Sequence, residues 1–311
     1  MGESILIDEL IRRLNTIAAD EQILVNEPMA KHTTMRVGGP ADVLFLPDSI
    51  EEVAKALAWA GELGVPALLM GNGSNLIVRD GGVRGLVISL GERFSRIRVQ
   101  GEELTAQAGA SLKRVAAAAQ EAGLSGLEFA AGIPGTLGGG VAMNAGAYGG
   151  QVSDVLVDAQ VLLDGEAATL TRAEMEMGYR STVPLKRGLP VLSARFRLTR
   201  DDPEAIAERA RRFNALRREK QPLSFPSAGS VFKRPAGQFA GALIEAAGLK
   251  GLAVGGAQVS EKHAGFIINL GDATAADVLK LIAEVQRRVQ AHAGVWLETE
   301  VRIVGTDEAG Q

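Results

Sequence analysis

Residues 132–150 read GIPGTLGGGVAMNAGAYGG, and eight of these nineteen positions are glycine. Gly132, Gly135, Gly138, Gly139, Gly140, Gly146, Gly149 and Gly150 leave almost no side chain from which to build a core. Glycine admits positive φ and lets backbone approach a ligand closely. Successive N–H groups in such a stretch form a nest for an anion, often at the start of a helix. The residues that follow the first five glycines, VAMNAG at 141–146, are compatible with a helix.

A second loop of this kind lies upstream. Residues 66–70, PALLM, read as a short buried strand that runs straight into GNGSNLIVRDGG at 71–82. A tight turn accounts for GNGSN alone about as well as a ligand does. Two dense glycine loops in one domain point further, to a ligand with two ends or faces such as a diphosphate. The familiar nucleotide loops are excluded, because GNGSNL lacks the third glycine of GxGxxG and no Gly-Lys-Ser/Thr occurs in the chain. The residues by themselves therefore imply a diphosphate-containing dinucleotide or sugar nucleotide, held by neither a Rossmann nor a Walker loop.

Composition narrows the class. The chain has 311 residues and is 46% hydrophobic and 23% charged, enough for ordinary cores in two or three domains. Its net charge of −4 argues against a nucleic-acid partner. The densest basic run, Arg209, Arg211, Arg212, Arg217, Arg218 and Lys220, is interspersed with Glu208 and Glu219 and reads as the solvated face of a helix. There are no cysteines, so disulfides, thiolate nucleophiles and cysteine-ligated clusters are out. The three histidines, His32, His263 and His292, are far apart and lack zinc-site spacing, so no metal is expected. The N-terminus carries Glu3, Asp8 and Glu9 and reads as an amphipathic helix rather than a signal peptide. No stretch approaches a membrane span. A cytoplasmic location is expected.

Along the chain, helices and strands alternate. Ser49 to Glu52 reads as a capping box for a helix to about Leu63. Residues 85–90 and 103–108 read as strands, and 111–122 as a helix closed by Gly123. Residues 154–163 and 190–199 read as further strands. Asp202-Pro203 supplies an N-cap and an N1 proline for a long helix, and a domain boundary is placed there. Beyond it come the loop QPLSFPSAGSVFKRP, a helix near 239–247, a strand at 265–270, a helix capped by Thr274 to about Ala291, and a final strand from Trp296 to Val304. The mix is α+β or α/β.

Five motifs now stand in order: MGNGSNLIVRDGG, GIPGTLGGGVAMNAGAYGG, YRST, SAGSVFKRP and WLETEVRIVG. In order and spacing they closely resemble the UDP-N-acetylenolpyruvoylglucosamine reductase (MurB) family, over about residues 25 to 305. The resemblance implies an α+β chain with the FAD-binding fold of the vanillyl-alcohol-oxidase type in two subdomains, followed by a smaller α/β substrate domain. The expected divisions are 1–90 and 91–200 for the FAD-binding subdomains and 201–295 for the substrate domain, with 296–305 returning to the first subdomain. The resemblance also implies a reaction: NADPH reduces noncovalently held FAD, and the flavin reduces the enolpyruvyl ether of UDP-N-acetylglucosamine to UDP-N-acetylmuramate for peptidoglycan. A monomer acting on these small molecules, without nucleic acid or membrane, is expected. The short stretch between Arg180 and Asp202 lacks room for an extra loop carrying a substrate-closing tyrosine, so the chain resembles the shorter branch of the family.

On this resemblance the cofactor contacts are Gly71, Asn72, Gly73, Ser74 and Asn75 in the first loop. In the second they are Gly132, Ile133, Pro134, Gly135, Gly139, Asn144 and Gly146. The catalytic residues are Ser230, Arg180 and Glu300. Such a reduction develops an enolate and then needs a proton at the neighbouring carbon, hence donors for the enolate and an acid close by. Ser230, in AGSVFK, matches the family's proton donor, although a serine in a glycine-rich loop is by itself first a turn residue. Arg180 matches the arginine facing the substrate carboxylate, where its fork of donors suits an enolate; alone it would read as a surface ion-pair residue. Glu298 and Glu300 share one face of the expected strand, so pattern does not separate them; the resemblance selects Glu300. An ionised carboxylate would repel an enolate, so Glu300 is expected to act protonated. Tyr148, Lys220, Lys233 and Arg234 are the expected substrate contacts. Tyr148 reads equally as a stacking or a packing residue, and Arg234 stands where many members of the family have asparagine. Two rival readings remain at this point: another flavin oxidase or dehydrogenase of the same fold, and a noncatalytic nucleotide-binding protein.

Overall fold

The computed structural model describes residues 2–307. The chain divides into two compact units, each assembled from separate segments: 1–25, 43–72 and 85–217 in the first, and 26–42, 73–84 and 218–311 in the second. The expected boundary near 200 falls instead at 217/218, inside the helix Pro203–Lys220. The reason is Arg209 on that helix, which bonds Glu128, Ser125 and Asp201 and so fastens most of the helix to the first unit.

The first unit holds two cores. One lies on a five-stranded antiparallel sheet in the order Glu166–Thr171, Leu156–Leu163, Val191–Arg197, Glu103–Gln107, Ile97–Gln100. Inward residues of these strands, Leu104, Ala159, Val161, Ala194 and Phe196, pack with Leu112, Val115 and Ala119 of the helix Leu112–Glu121. Ser111 starts that helix by accepting a bond from the Arg114 N–H at 3.2 Å. The other core joins the helices Gly2–Leu14 and Ile50–Leu63 to a four-stranded sheet ordered Ile23–Pro28, Pro40–Phe45, Val83–Ser89, Ala67–Met70. The chain changes unit within the first three of these strands. Ala67–Met70 runs parallel to residues 86–89 at the edge of the sheet; it is not the buried strand expected, since Ala67 is exposed and only Met70 is buried, but it delivers Gly71 to the carboxyl end of a parallel strand. Open α/β sheets place ligands beyond such strand ends.

The second unit is built round the helix Ala275–Ala293. Val278, Leu281, Ile282, Val285 and Val289 form its buried stripe at helical spacing, against Val259, Ile267 and Leu297. Thr274 and Asp277 cap it reciprocally: the Asp277 N–H donates to the Thr274 hydroxyl at 3.1 Å, and the Thr274 N–H to the Asp277 carboxylate at 3.0 Å. Asp80 adds a second cap, accepting from the Ala275 and Ala276 N–H groups at 2.8 Å each. That fixes the end of the loop 73–82 to a rigid helix. A four-stranded sheet ordered Ser227–Ser230, Phe266–Asn269, Ala257–Val259, Ala253–Val254 completes the unit.

The final strand is shorter than its sequence suggests. Only Arg302–Val304 is a strand, parallel to Leu76–Val78. Residues 295–301 are irregular apart from a single bridge between Thr299 and Phe232. Among the described residues no helix is long and apolar enough to cross a membrane, and no cluster of three or more His, Asp or Glu could hold a metal ion.

Candidate active site

The two glycine loops differ in how they use their glycines. In the segment 132–150, three glycines sit inside a short helix, Leu137–Ala142, rather than before it. A Cβ on Gly138 would lie 2.8 Å from the Ala108 Cβ, and one on Gly140 3.0 Å from Leu112. On Gly150 it would meet the Phe129 ring at 2.8 Å, and on Gly146 the Gly150 carbonyl at 2.8 Å. These glycines are there for close packing. Gly139 differs: a Cβ would meet only the Thr136 hydroxyl, at 3.8 Å. The N–H groups of Leu137 and Gly138 are taken by the carbonyls of Ala110 and Ala108, while that of Gly139 has no acceptor among the described residues. Gly139 thus presents bare backbone and a free donor to open space.

The loop 71–75 offers the larger set of donors. The N–H groups of Asn72, Gly73, Ser74 and Asn75 donate to no acceptor among the described residues. Four successive free donors are the raw material of an anion-binding nest. Gly71 lies against Thr136, where a Cβ would come within 2.1 Å of the hydroxyl, and the Asn72 amide donates to the Pro134 carbonyl at 3.2 Å. Gly71 and Asn72 are thereby joined to the GIPG segment. Gly73 has φ +60, and a Cβ on it would strike the His32 carbonyl at 2.3 Å, so no other residue fits there. His32 itself is held by Glu27 at 3.0 Å. Taken separately, each feature fits a part of a flavin nucleotide: the free N–H array of 72–75 a diphosphate, and the bare backbone at Gly139 the close approach of a ring.

Asn144, expected among the cofactor contacts, instead spends its side chain on the protein. It is 2% exposed. Its carbonyl oxygen accepts from the Ser153 N–H at 3.0 Å, and its amide donates to the Gly178 carbonyl at 3.2 Å and to Gln151 at 3.3 Å. Its backbone carbonyl receives the Arg180 guanidinium at 3.2 Å. The Thr182 hydroxyl donates to the Ala142 carbonyl at 2.7 Å. These bonds clamp a tight turn, with Tyr179 and Arg180 between the paired Gly178 and Ser181, onto the glycine segment. Arg180 is half-buried with its guanidinium 5.1 Å from the Tyr179 ring centroid. Asn144, Tyr148 and Arg180 all have positive φ, at 41, 53 and 51°. Such conformations are uncommon outside glycine and concentrate at functional sites.

In the second unit, Ser230 ends the strand Ser227–Ser230 after Gly229, whose φ is +77. Ser230 is exposed. The Glu300 N–H donates to the Val231 carbonyl at 2.7 Å, and the Asn75 amide donates to the Glu300 carbonyl at 3.1 Å. One backbone bond thus ties the serine segment to Glu300. The two glutamates also separate. Glu298 is exposed and paired with Lys233 at 3.2 Å, whereas Glu300 is half-buried. Lys233 is thus in a surface ion pair. Arg234 lies over the Phe239 ring at 5.1 Å, and Lys220 is exposed at the end of its helix.

The basic run is not uniformly solvated. Arg211 pairs with Glu204 and Glu208 on the surface. Arg209, by contrast, bonds the nearly buried Glu128 at 2.9 Å. Burial alone would raise the Glu128 pKa. Hydrogen bonds from its own N–H, the Gly126 N–H, the Ser125 hydroxyl and Arg209 outweigh this and hold it below the usual carboxylate range. Arg217 is half-buried beside the glycine segment. Helical periodicity alone hides both residues; the signal for Arg217 would be its position i+4 from Phe213 on an otherwise polar helix.

Comparison with known proteins places this arrangement. Residues 41–171 match the FAD binding domain family, and residues 221–304 match the UDP-N-acetylenolpyruvoylglucosamine reductase C-terminal domain. With the sheets and helices described above, these define an FAD-binding oxidoreductase with the fold of the vanillyl-alcohol-oxidase type. An alkyldihydroxyacetonephosphate synthase structure, 17% identical with a TM-score of 0.50 over 62% of this chain and 40% of its own, shares that fold alone. The UDP-N-acetylenolpyruvoylglucosamine reductase of Exiguobacterium sibiricum is 48% identical over 303 residues, 97% of this chain and 99% of that protein. The crystal structure of the Thermus caldophilus UDP-N-acetylenolpyruvylglucosamine reductase aligns with a TM-score of 0.78 at 38% identity, covering 90% of this chain and 97% of its own. The chain belongs to the UDP-N-acetylenolpyruvoylglucosamine reductase family.

Proposed function

We propose that this chain reduces the enolpyruvyl ether of UDP-N-acetylglucosamine to the lactyl ether, giving UDP-N-acetylmuramate for peptidoglycan synthesis in the cytoplasm, with NADPH as the electron source. When bound, FAD supplies the two-electron transfer from NADPH to the substrate. The protein's own residues bind, orient and deliver a proton. The free N–H groups of 72–75 hold the cofactor diphosphate. Arg180 faces the substrate carboxylate, where its fixed donors stabilise charge as the enolate develops. Glu300 acts in its protonated form, donating to the same charge rather than repelling it. Ser230 gives its proton to the carbon next to the carboxylate and recovers one from solvent. Lys220 and Arg234 contact the sugar nucleotide.

The observation that carries this reading is the bond from the Glu300 N–H to the Val231 carbonyl. It sets the segment carrying the exposed Ser230 beside the one carrying the half-buried Glu300, and an enolate protonation calls for such a hydroxyl and carboxyl where an alcohol oxidation does not. The test is anaerobic. Purified protein is expected to be yellow, to bleach with NADPH, and to regain its colour on adding the enolpyruvyl sugar nucleotide. Colour that returns with oxygen but not with this substrate would overturn the reading in favour of an oxidase. A protein that neither retains nor takes up flavin would overturn it in favour of a binding module.

A further inference from the structure

Asn75 belongs to the glycine loop expected to meet the cofactor, and its N–H, which donates to no acceptor among the described residues, suits that role. Its other polar groups are spent elsewhere. The carboxamide donates to the Glu300 carbonyl at 3.1 Å, and the backbone carbonyl accepts from the Arg302 N–H at 2.9 Å. Asn75 thus grips the chain on either side of Val301. The grip lies just before the parallel pairing of Leu76–Val78 with Arg302–Val304, so Glu300 stands immediately outside a ladder. Residues 295–301 are irregular apart from the bridge between Thr299 and Phe232. Outside a ladder, backbone groups must find partners one by one.

The frame behind Asn75 is firm. Gly73 rests on the His32 carbonyl, where no Cβ would fit, and Asp80 caps the helix Ala275–Ala293 with two bonds of 2.8 Å. Between them Leu76, Ile77 and Val78 are buried. On the other flank the Glu300 N–H donates to the Val231 carbonyl at 2.7 Å, and the Val231 N–H donates to the Gly265 carbonyl at 2.9 Å. The two peptide groups around the Glu300 Cα are therefore held by different segments, the N–H by the residue after Ser230 and the carbonyl by Asn75. All of these residues lie in the second unit.

Resting on the reaction proposed above, we propose that Asn75 is a positioning residue for Glu300. Its carboxamide fixes the Glu300 main chain at a set spacing from the Ser230 segment, while its N–H stays with the cofactor loop. No proton passes through Asn75. It acts by restricting the main-chain arrangements from which the Glu300 carboxyl meets the developing enolate.

The test uses flavin-loaded enzyme with FAD in excess, and follows reduction by NADPH and reoxidation by the enolpyruvyl sugar nucleotide separately. Asn75→Ala keeps the N–H and removes the carboxamide. Reoxidation is expected to fall by roughly 10- to 100-fold, the scale of a misplaced catalytic group, and reduction to fall much less. Asn75→Asp keeps the side-chain shape but sets a carboxylate oxygen, an acceptor only, against the Glu300 carbonyl, and should share the loss. A double-mutant cycle then separates positioning from a general structural role. If Asn75 acts through Glu300, Asn75→Ala should change reoxidation little in a Glu300→Ala background, whereas independent effects multiply. Multiplying effects would overturn the proposal, as would parental reoxidation rates in Asn75→Ala and Asn75→Asp. Equal slowing of both half-reactions, or failure to hold FAD in excess, would assign Asn75 to the cofactor alone and overturn it too. Where Asn75→Ala does not fold, the isosteric Asn75→Asp carries the cycle. If the reduced parent enzyme is not reoxidised by this substrate, the underlying reading of the reaction fails, independently of Asn75.

Discussion

Adjacent glycines of the helix Leu137–Ala142 are expected to respond to the same substitution with opposite signs. In a helix interior, alanine is favoured over glycine by about 0.5–1 kcal/mol. At Gly139 nothing in the protein opposes that gain, because the new Cβ meets only the Thr136 hydroxyl at 3.8 Å. Gly139→Ala should therefore stabilise the apoprotein and raise its melting temperature by a few degrees at most. The same methyl would occupy the space proposed for the approach of the flavin. An overpacking cost of about 1–3 kcal/mol there corresponds to FAD binding weakened by roughly 10- to 100-fold. Gly139→Val should abolish flavin retention while the apoprotein still folds.

At Gly138 the balance reverses. Its Cβ would sit 2.8 Å from the Ala108 Cβ and 3.4 Å from Ala108 backbone atoms. Overpacking of about 1–3 kcal/mol then outweighs the helical gain, so Gly138→Ala should lower stability by about 1 kcal/mol with no specific loss of FAD affinity. The assay is apoprotein melting by circular dichroism beside FAD titration by fluorescence quenching. If Gly139→Ala binds FAD as tightly as the parent, the assignment of this face to the flavin is wrong. If both variants lose stability equally, the distinction between packing and ligand-facing glycines fails.

Three further outcomes are expected. Ser230→Ala should bleach with NADPH at nearly the parental rate, while substrate-driven reoxidation falls by roughly 10²–10⁴-fold, with Ser227→Ala a mild control; equal slowing of both half-reactions would show Ser230 to be structural. Glu300→Gln should keep near-normal activity if the residue donates as a neutral acid, and severe loss measured across a pH–rate profile would contradict that role. Because the folded-state pKa of Glu128 is lowered from 4.5, its contribution to stability is present above about pH 4.5 and lost as the pH falls toward the folded value. Urea midpoints measured from pH 7 to 3 should therefore fall less steeply in Glu128→Gln than in the parent, and parallel curves would refute this.

Local chemistry made part of the fold legible in the sequence. Ser49, Asp202-Pro203 and Thr274 start helices where expected, because a cap is satisfied by its own next turn. Gly123 follows the helix Leu112–Glu121 with a φ of 67°, as expected, for the same local reason. The segment Trp296–Val304 was not legible, although its alternation suits a strand. Its backbone partners come in pieces, Phe232 for Thr299 and then Leu76–Val78 for Arg302–Val304, and a strand exists only where a partner continues. The glycines of 132–150 look equivalent in sequence. Ala108, Leu112 and Phe129 stand behind three of them and open space behind Gly139, a distinction set by residues up to 30 positions away. Arg209 and Arg217 were hidden in a charged run because what buries them lies on other segments.

Arg180, proposed to face the substrate carboxylate, is fixed by groups to which no chemical role is assigned. A left-handed backbone at a non-glycine residue costs on the order of 1–3 kcal/mol, so surrounding contacts must over-determine it. Here Asn144 does so from both ends. Its amide holds the Gly178 carbonyl at the start of the turn, and its backbone carbonyl holds the Arg180 guanidinium itself. Thr182 closes the other side on Ala142. Ala142 and Asn144 directly follow Gly139–Val141, so the turn that carries the arginine and the face proposed for the flavin are built on one short run of backbone. The guanidinium is thereby oriented before any ligand arrives, which spares the entropy that a free arginine side chain would lose on engaging a carboxylate. Asn144 is itself left-handed at φ 41°, a conformation asparagine tolerates better than most residues. Backbone geometry and the hold on Arg180 thus give Asn144 a structural reason for its place in the sequence.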